Sequence, residues 1–171
     1  MKGNTKIWIL NGNRWRGKIR EYGYTHLISE GYYENGLKWN GSHVEYYKTG
    51  ELKFRGEYIN GNRNGEGKEY YQNRKLKYEG QYLNGIPNGS GKEYDKDGKL
   101  IFEGEYFFGA RNGKGKEYYN NGKLKFEGVY ANGEFNEYGK KYNEQGILEY
   151  KGEFKKGKKK EEVKNMTIME N

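Results

Sequence analysis

Leu100-Ile101-Phe102-Glu103-Gly104-Glu105-Tyr106 is the stretch on which the reading of this chain turns. Leu100, Phe102, Gly104 and Tyr106 share one parity; Ile101, Glu103 and Glu105 share the other. Alternation with a period of two marks a strand with one covered and one wet face. The stretch is one of five copies, because Gly56, Gly80, Gly104, Gly128 and Gly152 stand 24 residues apart. Two positions before each glycine comes Phe54, Tyr78, Phe102, Phe126 or Tyr150, and two positions after it Tyr58, Tyr82, Tyr106, Tyr130 or Phe154. A Leu leads each by four: Leu52, Leu76, Leu100, Leu124 and Leu148. A fixed period of this size means one supersecondary unit stacked on copies of itself.

Each strand runs into a turn signal, Asn60-Gly61, Asn84-Gly85 or Asn132-Gly133. Asn-Gly tolerates the positive φ angles of tight hairpins. A second Asn-Gly follows at Asn64-Gly65, Asn88-Gly89 and Asn112-Gly113, which predicts a loop longer than two residues. Gly67-Lys68-Glu69-Tyr70 and its copies from Gly91, Gly115 and Gly139 read as return strands. Two strands per unit predict an all-β fold, a single-layer, elongated antiparallel meander of stacked hairpins. One unit buries too little to fold alone, so neighbours must share their surfaces. Glycine at a strand centre weakens it, so five at one register call for an aromatic ring lying flat across the missing side chain.

The regular repeats span 49–157. Residues 1–48 read as degenerate repeats forming a cap, in which Trp8, Trp15 and Trp39 fill space that Phe or Tyr fills elsewhere. Residues 158–171 read as a charged tail, a short helix or a frayed end. Hydrophobic residues make up only 32% of the chain against 33% charged, too few for a compact two-layer core. The 17% aromatic content and the strict period argue against disorder. The net charge of +8 sits mostly at the ends: +4 over 1–48, +1 over 49–154 and +3 over 155–171. There is no Cys, hence no disulfide framework. Ile7-Trp8-Ile9-Leu10 is too short for a signal-peptide core, and a cytoplasmic setting, with peripheral membrane contact as the variant, is the expectation.

Tyr78-Glu79-Gly80-Gln81-Tyr82-Leu83-Asn84-Gly85 and Phe102-Glu103-Gly104-Glu105-Tyr106, followed by Gly89-Ser90-Gly91 and Gly113-Lys114-Gly115, resemble the MORN repeat. Tyr119-Asn120-Asn121-Gly122-Lys123-Leu124-Lys125 is similar to the variant repeat of bacterial proteins, some of them antitoxin-like. The resemblance covers 31–157, with a departure at Asn136-Glu137, where the second Asn-Gly is missing. It implies a twisted single layer of hairpins with a grooved aromatic face, scaffolding roles and contested phospholipid binding. In family enzymes a separate domain does the chemistry, for which this chain has no room.

Candidate chemistry is sparse. Glu69, Glu93 and Glu117 obey the period, which suits a solvated row alternating with Lys68, Lys92 and Lys116 better than a catalytic pair. His26 and His43 are the only histidines, and His43-Val44-Glu45 lacks the ligand spacing of a metal site. The glycine-rich loops lack a Walker Lys-Ser/Thr ending, so neither metal nor cofactor is expected. Stacked rings with Lys could suit single-stranded nucleic acid, but a near-neutral array cannot neutralise phosphates along a track. The expectation is a non-enzymatic interaction module. Its partner-binding or self-association face would be Phe54, Tyr58, Tyr78, Tyr82, Phe102, Tyr106, Phe126 and Tyr130, left partly open because a single layer has no second sheet. Alternatives are a membrane adaptor meeting anionic lipid through Lys155, Lys156, Lys158, Lys159 and Lys160, and an antitoxin-like inhibitor of an enzyme.

Overall fold

The computed structural model describes residues 16–22, 27–34, 37–38 and 40–160. The expected filling role of Trp8, Trp15 and Trp39, His26 and the tail beyond Lys160 lie outside them. The strands are β1 (Arg16–Tyr22), β2 (Leu27–Glu34), β3 (Leu37–Lys38), β4 (Gly41–Tyr46), β5 (Leu52–Ile59), β6 (Asn62–Tyr70), β7 (Leu76–Leu83), β8 (Ile86–Tyr94), β9 (Leu100–Phe107), β10 (Ala110–Tyr118), β11 (Leu124–Ala131), β12 (Glu134–Tyr142), β13 (Leu148–Lys155) and β14 (Lys158–Lys159). They form one antiparallel sheet in chain order, with β3 pairing β2 off the main path. The fold is therefore the expected single open meander.

Correction of the loop follows from the backbone angles. Asn60 and Gly61 have φ of 50° and 81°, and Asn84-Gly85 and Asn132-Gly133 repeat the pair. Two successive positive φ values make a two-residue hairpin turn whose twist matches the strands. The second Asn-Gly is not loop but strand. Gly56 faces Gly67 while Tyr58 faces Arg63, so β6 carries a bulge between them. Gly65, Gly89 and Gly113 adopt positive φ there. The side chains of Glu57, Gln81 and Glu105 lie where a Cβ on those glycines would stand, and the Ser90 N–H donates to Gln81 Oε1 at 3.1 Å. In the last bulge Glu137 holds φ of 53° without being glycine, which accounts for the missing Asn-Gly. Lys156-Gly157 forms a further turn of the same kind, and Lys158–Lys159, the first residues of the expected 158–171 tail, pair with β13 as strand.

The central feature is a row of glycines crossing the sheet. Gly56, Gly67, Gly80, Gly91, Gly104, Gly115, Gly128, Gly139 and Gly152 face one another strand by strand. Rings lie across this row in pairs of strands. A Cβ on Gly56 or Gly67 would come within 2.6 Å of Phe54 Cζ, one on Gly115 within 2.5 Å of Phe102 Cζ, and one on Gly128 within 2.7 Å of Phe126 Cζ. The register thus supplies the reason for both glycine series at once. At the N-terminal end His43 stands opposite Gly56, where the regular unit has Gly67. Its imidazole fills the space a Cβ on Gly31 would need, and it tilts against Tyr58 at 4.8 Å.

The rings continue edge to face from Tyr58 through Phe54, Tyr82, Tyr78, Tyr106, Phe102, Tyr130 and Phe126 to Phe154, with centroids 5.1–5.9 Å apart. This spacing suits the aromatic quadrupole. Above them the Arg63 guanidinium lies 4.0 Å over Phe54 and the Arg111 guanidinium 4.3 Å over Phe102. Phe135 takes that place in the last full unit, stacked 3.9 Å on Phe126.

Two expectations test this packing by chemical denaturation. Gly115→Ala should cost about 3 kcal/mol by crowding the Phe102 ring, and far less in a Phe102→Ala background; equal losses in both backgrounds would refute the ring contact. Phe108 holds φ of 46° where three of the other turns have Asn60, Asn84 and Asn132, so Phe108→Asn should stabilise the sheet by about 0.5–1 kcal/mol.

Candidate functional site

The eight aromatic residues expected to form an open binding face do lie together, but they are the core. Their exposure runs from 0% at Phe54, Phe102 and Phe126 to 7% at Tyr106. No second sheet is needed to close them: bare glycine backbone lets the rings lie flat, and Arg63, Arg111 and Phe135 cover them. The expectation of an accessible aromatic face is thereby corrected. The carboxylates that read as a solvated row belong to the same covering layer. Glu93 accepts from Arg111 at 2.8 Å and from Tyr106 Oη at 3.3 Å. Glu117 pairs with Lys125 at 2.8 Å and accepts from Tyr130 Oη at 3.3 Å. Glu69 pairs with Lys77 at 3.3 Å. Each follows a groove Lys in sequence and therefore points to the opposite face.

The open surface is the other face. A groove of about 1000 Å³ runs along it over the central strands. Its floor is glycine backbone, and its main line of side chains follows the register Arg55, Lys68, Glu79, Lys92, Glu103, Lys116, Glu127, Lys140, Lys151. Opposite charges directly across strands are favourable. Lys68 and Glu79 meet at 2.9 Å, Glu127 and Lys140 at 3.6 Å, and Lys92 and Glu103 at 4.0 Å. Lys and Arg side chains lining the groove are Arg55, Lys68, Lys92, Lys114 and Lys116; carboxylates are Glu66, Glu79, Glu103, Glu105 and Glu127. The lining is therefore charge-balanced.

Tyrosine hydroxyls brace this ladder. Tyr94 Oη donates to Glu79 at 2.7 Å and Tyr118 Oη to Glu103 at 2.6 Å. The Tyr94 bond, then the Lys68 ammonium, holds the Glu79 carboxyl below its ordinary value. Burial, and then the carboxylate partner, pushes the Tyr94 and Tyr118 phenols up to about 12. Burial also raises Tyr78, Tyr82, Tyr106 and Tyr130 strongly. The lysine run ends the array: Lys156-Gly157 is the turn, Lys160 pairs with Glu153, and Lys159 lies 5.1 Å from the Tyr150 ring.

Comparison with known families agrees with this architecture. The MORN repeat variant matches residues 39–60 and 111–132, and the MORN repeat matches 54–74, 78–99 and 150–160. The chain belongs to the MORN repeat family. No curated protein matches it closely enough to count as a relative. The MORN array is a β-sheet scaffold whose repeats alternate a closed aromatic face with an open, charged one. Sequence parity separated these faces correctly. It did not say which was open, because the ring-on-glycine closure depends on the cross-strand register of two glycine series.

The phenols give a pH expectation. A group whose folded value is raised contributes stability that is complete below its unfolded value, here 10.0, and is lost as pH rises toward the folded value. The sheet should therefore weaken progressively above that pH. Tyr78→Phe, which copies Phe54 and Phe102, should reduce the alkaline loss. Circular dichroism alongside phenolate absorbance checks it; phenol ionisation without loss of sheet would contradict the burial.

Proposed function

We propose that this MORN array is a non-catalytic scaffold that holds a segment of a partner protein in the groove of its charged face. The observation that carries the reading is the groove itself, floored by bare backbone and lined by equal numbers of cationic and anionic side chains. A balanced lining suits a polypeptide, which can offer both charges, and disfavours a nucleic-acid backbone, which needs net positive charge along its track. The periodic carboxylates Glu69 and Glu117 are held in ion pairs and Glu93 lies against Arg111, an arrangement suited to structure. The buried rings cannot offer the contact surface, so partner binding and self-association through them are set aside.

A photo-crosslinking residue at Ser90, exposed in the groove, should give discrete protein adducts in cells of the source. The same probe at Lys96, in an exposed turn between β8 and β9, should not give those adducts. Mass spectrometry identifies them. Identical adducts from both positions, or binding to anionic vesicles with no groove adduct, would replace this reading with a different surface.

A further inference from the structure

One row of the groove, the row at the bulges, stays polar except at one place. At the bulge row, β5 to β10 carry Glu57, Glu66, Gln81, Ser90, Glu105 and Lys114, all polar. One period on from Glu105 and Lys114, β11 carries Val129, which faces Lys114, and β12 carries Tyr138, which faces Glu153. Both line the groove, and Tyr138 is 55% exposed. Between them and the turn, Glu137 sits in the left-handed region that glycine occupies in the other three bulges. A non-glycine residue there costs about 1–3 kcal/mol, and such strain collects at working sites.

The charges around this break are also uneven. Among the described residues, Lys114, Lys116 and Lys151 reach no carboxylate within ion-pair distance. The carboxylates beside them are occupied, Glu127 by Lys140 and Glu153 by Lys160. Among the described residues, Glu105, at the border on β9, forms no ion pair, and neither do Glu66 and Glu57 further along. Three free cations therefore flank the apolar pair on β11 and β12, while the free carboxylates Glu57, Glu66 and Glu105 lie on the other side of the border and outnumber the unpaired Arg55 there.

Resting on the groove reading above, we propose that Val129 and Tyr138 anchor an apolar side chain of the partner, and that Lys114, Lys116 and Lys151 bind acidic residues flanking it. The occupant of this end is an acidic peptide segment with one large apolar residue. Tyr138 supplies a wide contact area at low entropy cost. The free ammonium groups steer the acidic flanks, and their attraction weakens as salt screens it. The carboxylates on β5 to β9 bar the acidic end from docking in the reverse direction.

The full chain titrated with fluorescent peptides tests this by anisotropy. The probes are Leu flanked by Glu on both sides, the same peptide with Ser in place of Glu, and the same with Gly in place of Leu. The first should bind best, and each replacement should weaken it by about tenfold or more. Tyr138→Ser and, separately, Lys114→Glu with Lys116→Glu should produce similar losses, while Glu66→Lys should not weaken binding. All these side chains are outside the buried rings, and an unchanged circular dichroism spectrum shows that each variant folds. Equal binding of the three peptides, indifference to Tyr138→Ser, or tighter binding of a single-stranded oligonucleotide would overturn the proposal. If adducts still form from Ser90 while these peptides fail, the acidic anchor is wrong and the groove reading stands; loss of both removes the groove reading as well.

Discussion

Everything in this sheet depends on an aromatic ring lying flat on two glycines that face each other across neighbouring strands. Phe54 on Gly56 and Gly67, Tyr78 on Gly80 and Gly91, Phe102 on Gly104 and Gly115, and Phe126 on Gly128 and Gly139 are the same contact in successive units. A single-layer sheet normally has nothing to bury its apolar side against, since a second packed layer supplies that role in ordinary domains. Here the backbone itself is the second surface. Removing the β-carbons lowers the floor, the rings settle onto it, and the next unit's Tyr, or Phe154 in the case of Phe126, closes each ring edge to face.

That arrangement divides the labour between faces. The ring side is sealed by Arg63 with Glu45, by Arg111 with Glu93, and at the end by Phe135. Units are also tied along both margins of the sheet. The Gly85, Gly109, Gly133 and Gly157 N–H groups donate to carbonyls of the preceding hairpin at Arg63, Pro87, Arg111 and Phe135. On the opposite margin Tyr47, Tyr71 and Tyr119 hydroxyls donate to the Tyr70, Tyr94 and Tyr142 carbonyls. With the ring side committed to stability, side chains on the groove side are free to vary. Val129, Tyr138, Lys114 and Lys151 are where they do.

Much of this was legible in the residues. The 24-residue period, the alternation around Gly104 and the Asn-Gly turns define a meander of hairpins, and the flat ring over glycine follows from glycine at a strand centre. What stayed hidden depended on register. Asn64-Gly65 looks like loop until Gly67 is seen to face Gly56, which makes it a bulge. Glu69 looks like a neighbour of Lys68 until strand parity sends it to the ring side beside Lys77. The aromatic face looked open because the glycines of the two strands were not known to meet. His43, unremarkable in sequence, replaces a row glycine and supplies a ring from the other strand. The groove's irregular end had a signal available, since Val129 and Tyr138 break an otherwise polar pattern.

The most direct test of the ring-on-glycine account is the proton NMR shift of the row glycines. A ring lying flat over a glycine shields the α-proton beneath it. Gly67, Gly91, Gly115 and Gly139 should each show one α-proton moved strongly upfield, while the turn glycines Gly61, Gly85 and Gly133, which have no side chain over them, should not. Phe102→Leu should return Gly104 and Gly115 to ordinary values and leave Gly67 unchanged. Ordinary shifts along the whole row in the intact protein would contradict the account.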